Sequence, residues 1–152
     1  MAEHVGVHPL GTGIYPKAQV LNRFIAKLID LFLAAAAAEL IAPVGFLAGV
    51  AYLLVADGFA GGRSIGKRLI GLQTVLPGTR EPAGFRESII RNIPFAVAQL
   101  LYYVVPYVGW LASAGIVMFE AILIIGNEQG RRLGDELAGT QVLDAGRLAL
   151  PD

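Results

Sequence analysis

The sequence predicts an all-α membrane protein whose four transmembrane helices form two parallel helix-hairpin repeats. Hydrophobic residues make up 55% of its 152 residues and charged residues only 16%, and the mean hydropathy is +0.62. Soluble domains carry about 25% charged residues, so the deficit indicates a surface that faces hydrocarbon. The basic residues are also confined to one side of the predicted spans. Short amphipathic segments and short strands are expected on that same side.

Four apolar stretches predict the four spans. A helix needs about 20 apolar residues to cross a bilayer, within a range of roughly 17 to 25. The first stretch fits, and the others lie at or just below the lower bound, which local thinning of the bilayer can accommodate. Proline and glycine between the members of each pair favour tight turns. The stretches run from about Val20 to Ala42, Val44 to Phe59, Ile89 to Val105 and Val108 to Ile125.

The basic residues predict the orientation. All twelve precede span one, lie in its first turns, fall between spans two and three (including the start of span three), or follow span four. The positive-inside rule therefore places both termini and the middle loop in the cytoplasm of a bacterial-type inner membrane. The twelve are Lys17, Arg23, Lys27, Arg63, Lys67, Arg68, Arg80, Arg86, Arg91, Arg131, Arg132 and Arg147.

The cytoplasmic segments predict an internal duplication at an offset of 68 residues. Seven of eighteen positions are identical between 58–75 and 126–143, whereas the tight turns are out of register at this offset. The repeats cover about 20–77 and 86–145, between a disordered tail at 1–19 and a C-terminal tail at 146–152. Two spans per copy give both copies one orientation, related by a twofold axis along the membrane normal. Coincidence between two glycine-rich loops is the alternative.

The two copies differ in charge at their centres. Lys67 and Arg68 in the first copy correspond to Asp135 and Glu136 in the second. Opposite charges attract more strongly when partly buried. We therefore expect the two cytoplasmic segments to dock on each other or on Arg23.

Ionisable residues inside the predicted spans are the candidates for chemistry. Such groups are costly in a membrane and persist when they are paired, solvated or functional. Asp30 is too short to reach the interface, so it forms either a brace with Lys27 or Arg23 or part of an ion or proton site. Glu120 lies deep in span four, and Asp30 and Glu120 together could form a relay. Glu39 and Asp57 are interpreted as ordinary interfacial residues.

Glycine-framed motifs follow spans two and four and predict interfacial helices. Ile65, Leu69 and Leu72 are expected at the lipid boundary, because a basic amphipathic segment binds at an anionic membrane surface. Arg63, Lys67 and Arg68 are expected to meet anionic head groups. The motif residues are Gly66, Lys67, Arg68, Gly71, Gly134, Glu136 and Gly139.

Composition argues against several other classes of protein. There is no cysteine, and both histidines (His4 and His8) lie in the N-terminal tail, so neither a metal site nor a cofactor is expected. Twelve basic and twelve acidic residues balance, which offers no indication of nucleic-acid binding. No catalytic constellation is recognisable, so an enzyme is not expected.

Three motifs together resemble the RDD family of membrane proteins. They are the segments 23–30 (RFIAKLID), 64–72 (SIGKRLIGL) and 132–140 (RLGDELAGT), in that order. The resemblance covers about Val20 to Leu143. It assigns the arginine and two aspartates of the family to Arg23, Asp30 and Asp135. Glu136 and Gln141 depart from the apolar or variable residues common there.

The resemblance implies transport of ions or small solutes, including cation–proton exchange, and no enzymatic activity. The alternative is a non-transporting accessory or assembly subunit of a larger membrane complex. A homo-oligomer is expected in the first case, because four short spans leave little room for a water-filled route. Small residues from Ala34 to Ala38 offer a smooth face for the second case.

Overall fold

The fold is mostly helical, with one small sheet. The computed structural model describes residues 18–40, 42–105 and 107–148. Both histidines and nearly all of the predicted tails lie outside these residues. The long helices are α1 (Val20–Leu40), α2 (Gly45–Val55), α4 (Phe85–Val104) and α5 (Val108–Gly126); a 3₁₀ turn, Ala56–Gly58, extends α2. The short elements are α3 (Ile65–Ile70), β1 (Leu72–Val75), α6 (Leu133–Ala138), β2 (Gln141–Asp144) and α7 (Ala145–Leu148).

One helix of the described chain, α5, is both long and apolar enough to cross a membrane. The stretch Gly45–Gly58 is apolar but shorter. Helices α1 and α4 have 21 and 20 residues, but each contains several charged residues. Three of those charged residues are buried, namely Arg23 and Asp30 of α1 and Arg91 of α4, whereas many large apolar side chains are exposed.

Small residues allow the long helices to pack as close pairs. A Cβ atom at Gly49 of α2 would lie 2.6 Å from the Ala34 carbonyl oxygen of α1. In the second pair, Ser113 Oγ of α5 donates to the Ala98 carbonyl oxygen of α4 over 2.6 Å. Glycine and serine at helix contacts let backbones approach closely. Ala34 and Ala38, expected as a face for a partner protein, are instead buried within the chain.

Helix α2 also packs on α4, which joins the two pairs. Ser88 Oγ donates to the Leu54 carbonyl oxygen over 2.7 Å, and the Asp57 backbone N–H donates to Ser88 Oγ over 3.1 Å. Among the described residues, α1 and α5 make no comparable contact. The bundle is therefore open along one side.

The short elements close one end of the bundle. Helix α3 packs on α1 and α6 packs on α4, and strands β1 and β2 pair antiparallel with Thr74 opposite Val142. Gly71 and Gly139 end the two short helices at φ +78° and +63°, a left-handed conformation that glycine adopts without strain. Each short helix is thereby turned directly into its strand.

Candidate functional site

The carboxylate of Asp135 is the centre of a buried ion-pair network. Its Oδ2 lies 2.6 Å from Arg23 Nη2 of α1, and its Oδ1 lies 2.6 Å from Arg91 Nη2 of α4. Arg132 Nε is 3.6 Å from the same Oδ1. Arg23 also donates to the carbonyl oxygen of Gly130. One carboxylate thus ties α1 and α4 to the segment that follows α5.

A second carboxylate, Asp57, holds the other half of this network. The 3₁₀ turn points it inward, where Oδ1 lies 2.6 Å from Lys67 Nζ and Oδ2 lies 3.5 Å from Arg91 Nη1. Asn92 Nδ2 donates to Oδ2 over 3.2 Å. Thr74 Oγ1 accepts from both Lys67 and Arg91 and so joins strand β1 to the cluster.

Asp30 is held by uncharged donors rather than by basic residues. Its Oδ1 accepts from Tyr52 Oη over 2.8 Å and from the Gly66 backbone N–H over 2.9 Å, and its Oδ2 accepts from Ser64 Oγ over 2.6 Å. Neither expected brace, to Lys27 or to Arg23, is among its described contacts. Asp30 instead anchors the start of α3 against α1, and all its acceptor positions face donors.

Glu120 lines a cavity of about 460 Å³ between α1 and α5. Its carboxylate is 1% exposed, and its nearest ion-pair partner, Arg132 Nε, lies 3.8 Å from Oε2. Among the described residues, the Gly134 backbone N–H approaches the Glu120 carboxylate without reaching good hydrogen-bond geometry, and Arg132 Nε has no hydrogen-bond partner. Buried polar groups are normally satisfied, so these orphaned atoms indicate a site that a ligand or water completes.

Lys27 faces the same cavity with little compensation for its charge. Its ammonium donates to Asn92 Oδ1 over 3.2 Å and lies 4.3 Å from the centroid of the Phe95 ring. The Arg132 guanidinium carbon lies 4.7 Å from that same centroid. Five basic residues and one acidic residue line the cavity, whose remaining walls are apolar: Arg23, Lys27, Lys67, Arg91, Arg132 and Glu120. Asp135 and Asp57 already pair with Arg23, Arg91 and Lys67, so Lys27 and Arg132 are the two cations whose charge an anion in the cavity could compensate.

The motif residues divide into buried and exposed groups. Gly66, Lys67, Gly134 and Asp135 are buried, whereas Arg68 and Glu136 are exposed. The prediction that Lys67 meets a lipid head group is wrong, because its ammonium is used by Asp57 and Thr74.

Two further expectations need correction. Leu72 is fully buried rather than at the lipid boundary, because its strand lies in the interior. Asp57, interpreted as interfacial, is a central acceptor of the network.

Asn92 and Thr74 of the network were not predicted from the sequence, since uncharged polar residues carry no signal of their partners. Arg91 could have been found, because it lies 68 residues after Arg23.

Among the described contacts, Asp30 touches neither Asp135, its companion in the family motif, nor Glu120, its companion in the proposed relay. The cytoplasmic segments were predicted to dock on each other or on Arg23, and Asp135 does form an ion pair with Arg23. Among the described residues, no cluster of three acidic or histidine side chains could hold a metal ion.

A helical bundle with a membrane-capable helix and a buried arginine–aspartate network defines a class of helical membrane protein. The model of the RDD family matches residues 36–139, more than two thirds of the chain. The chain therefore belongs to the RDD family, which is a family of membrane proteins. The match begins after Arg23 and Asp30, so their assignment depends on the motif resemblance. No curated protein and no solved structure matches the chain.

The ionisation of Asp135 predicts sensitivity to acid. Burial opposes its charge, but Arg91, Arg132 and Arg23 outweigh burial and lower its pKa. A carboxyl group with a depressed pKa stabilises the folded state above its unfolded pKa of about 4, and that contribution is lost as the pH falls further. At about pH 3 the loss is on the order of 1 kcal/mol.

Thermal unfolding in neutral detergent measures this effect. The midpoint of the wild type should fall between pH 5 and pH 3, and the Asp135→Asn variant, which has no carboxyl group to titrate there, should fall less. Parallel decreases in both proteins would show that other groups cause the acid sensitivity.

Proposed function

We propose that the chain is a multi-pass protein of a bacterial-type inner membrane with four spans, α1, α2, α4 and α5, and with both termini in the cytoplasm. Exposed apolar side chains on all four helices support this, among them Phe32, Leu47, Val97 and Ile122. The positive-inside pattern supports the orientation, because the basic residues accompany the end of the bundle that α3 and α6 close.

We propose further that the chain consists of two parallel repeats. Thr74 and Val142, opposite each other in the sheet, are 68 residues apart, which is the offset of the duplicated motifs. Two equivalent residues that pair with each other lie on a twofold axis, as in a symmetric dimer interface. This pairing supports an axis that passes through the sheet.

The offset changes inside the membrane. Gly49 against Ala34 corresponds to Ser113 against Ala98 at an offset of 64. The turn of the second hairpin is therefore displaced: α5 has four more residues than α2 between the turn and the following motif, and α4 has four fewer than α1 between Arg91 and the turn, a shift of about one helical turn. This shift accounts for the mismatch of the tight turns at an offset of 68.

The repeats are unequal where they meet. A twofold axis that relates the α2–α4 contact would require a matching α5–α1 contact, and the cavity lies there instead. Asp57, in the 3₁₀ turn after α2, accepts a hydrogen bond from Asn92 on α4. On the other side, Glu120 on α5 faces Lys27 on α1 across the cavity without touching it. The cavity therefore occupies the place where α1 and α5 would pack if they matched the α2–α4 contact.

Within this framework the protein carries a small anionic solute together with a proton. When Glu120 accepts a proton, Lys27 and Arg132 lose their nearest free negative charge, and an anion can take its place between them. Release of the anion favours release of the proton, because the carboxylate then pairs with Arg132 again. Alternate opening and closing of α1 against α5 would expose the site. The single observation that carries this proposal is the buried Glu120 carboxylate, which lacks a hydrogen bond of good geometry and lines a cavity together with Lys27 and Arg132.

Cation–proton exchange receives less support. Asp30 already accepts from three donors, and the weakly compensated Lys27 and Arg132 at the cavity would repel a cation. An accessory role in a larger complex is the alternative, but the small residues that favoured it pack within the chain. Its signature would be a stoichiometric partner that copurifies in mild detergent.

The test is proton uptake into vesicles that contain the purified protein and an enclosed pH-sensitive dye. Inward gradients of chloride, inorganic phosphate or a short carboxylate should acidify wild-type vesicles for at least one of these anions. Glu120→Gln should reduce that acidification to the level of protein-free vesicles, because glutamine cannot carry the proton. The matched control is Glu39→Gln, which changes an exposed carboxylate on α1 and should leave the uptake intact.

Two results would contradict the proposal. Undiminished proton uptake in Glu120→Gln would remove the proposed site. Failure of the wild type to respond to any of these gradients would contradict transport of small anions and favour the accessory role.

A further inference from the structure

The cavity between α1 and α5 has two chemically distinct parts. Its back wall carries Lys27, Arg132 and Glu120, while its sides are formed by apolar residues of both helices: Leu28, Leu31, Val117, Ala121 and Ile124. At the cytoplasmic end, Leu21 and Ile125 are 65% and 68% exposed, so the cavity opens sideways toward the surroundings of the bundle. A volume of about 460 Å³ lies within the range of small-molecule sites, roughly 300 to 1,000 Å³.

We infer that the occupant of this cavity is an anionic membrane lipid, with one acyl chain along the apolar sides and its phosphate at Lys27 and Arg132. This inference rests on the anion site of the proposed function: the lipid phosphate binds the same pair of cations and competes there with a small anion. Charge complementarity supports it, because Lys27 and Arg132 are the least compensated cations of the cavity and a phosphate would lie beside both. The sideways opening also lies where a bilayer would supply the lipid.

The polar groups of the site, Arg132, Lys27 and Glu120, suit a phosphate diester. Arg132 Nε is a buried donor without a hydrogen-bond partner among the described residues, and Lys27 provides a flexible ammonium beside it. Protonated Glu120 can donate to a phosphate oxygen, whereas the ionised carboxylate competes with the phosphate for Arg132. Lipid binding should therefore be tighter when Glu120 is protonated.

The experiment is native mass spectrometry of the intact protein in neutral detergent. It is mixed with equal amounts of phosphatidylglycerol and phosphatidylcholine that have the same acyl chains. One phosphatidylglycerol molecule should remain bound to the wild type. Ala121→Trp, which fills the cavity from α5, should lose it, and Leu28→Trp fills the same space from α1 if the first variant does not fold. Ile122→Trp is the matched control, because Ile122 is exposed on α5 and does not line the cavity.

Three results would overturn the inference. Equal retention of the two lipids would show that charge does not select the occupant. Retention of phosphatidylglycerol by both tryptophan variants in the cavity would place the lipid elsewhere. Displacement by inorganic phosphate alone would show that the acyl chain is irrelevant. A wild type that retains phosphatidylglycerol but moves no anion into vesicles would contradict transport and leave this inference intact.

Discussion

The Asp135→Asn variant should lose about 3–5 kcal/mol of folding free energy, the usual result of removing one partner from a buried ion pair. Arg23 and Arg91, which lie on different long helices, each use one oxygen of this carboxylate at 2.6 Å. Asparagine keeps one of the two acceptor atoms and none of the charge. Two buried guanidinium groups would then repel each other without compensation.

Denaturation in neutral detergent, followed by circular dichroism, measures the loss. The matched control is Glu136→Gln, because this neighbouring carboxylate is exposed and should contribute less than about 1 kcal/mol. A double-mutant cycle with Arg23→Gln should show strong coupling to Asp135→Asn. Wild-type stability in Asp135→Asn would show that the network does not hold the two helices together.

Gly134→Ala should be at least as damaging, for a steric reason. A Cβ atom at Gly134 would lie 2.0 Å from the Arg91 carbonyl oxygen, which belongs to the backbone of α4 and has no rotamer to change. Helix α6 would have to move away from α4 and would take Asp135 with it. Gly66→Ala meets the same obstacle at the Ala26 carbonyl oxygen, also at 2.0 Å.

The control for both glycine variants is Gly115→Ala in α5. Nothing lies within 4 Å of a Cβ atom at that position, so the variant should fold and unfold like the wild type. Expression level, thermal midpoint and protease resistance in detergent would be compared. Normal stability of Gly134→Ala would mean that α6 does not approach α4 as closely as described.

The motif residues could be predicted from the sequence because their roles are local. Gly71 and Gly139 follow short helical stretches and precede strand-like ones, and each indeed ends a helix in the left-handed conformation. Thr74 and Val142, which are 68 residues apart, lie opposite each other in the sheet, a pairing that was not predicted from the sequence. The opposite charges of Lys67 and Asp135 indicated that these segments form ion pairs, but they did not indicate with which residues.

The partners of Lys67 could not be predicted, because a helix of six residues has no periodicity to separate its faces. Lys67 points inward to Asp57 while the adjacent Arg68 is exposed. The same limitation applies to Asp30, whose neighbours Lys27 and Arg23 suggested a brace within α1. Its actual donors come from α2 and the start of α3, and sequence separation hides such contacts.

The sequence by itself determined the composition suited to lipid, the four apolar stretches, the one-sided distribution of positive charge and the membership in the RDD family. These properties depend on residue type and spacing along the chain. Only the tertiary structure decided that one carboxylate, Asp135, serves Arg23 and Arg91 together, and that α1 and α5 stay apart around Glu120. Both depend on distances between residues that are remote in the chain, and such distances are set by how whole helices pack.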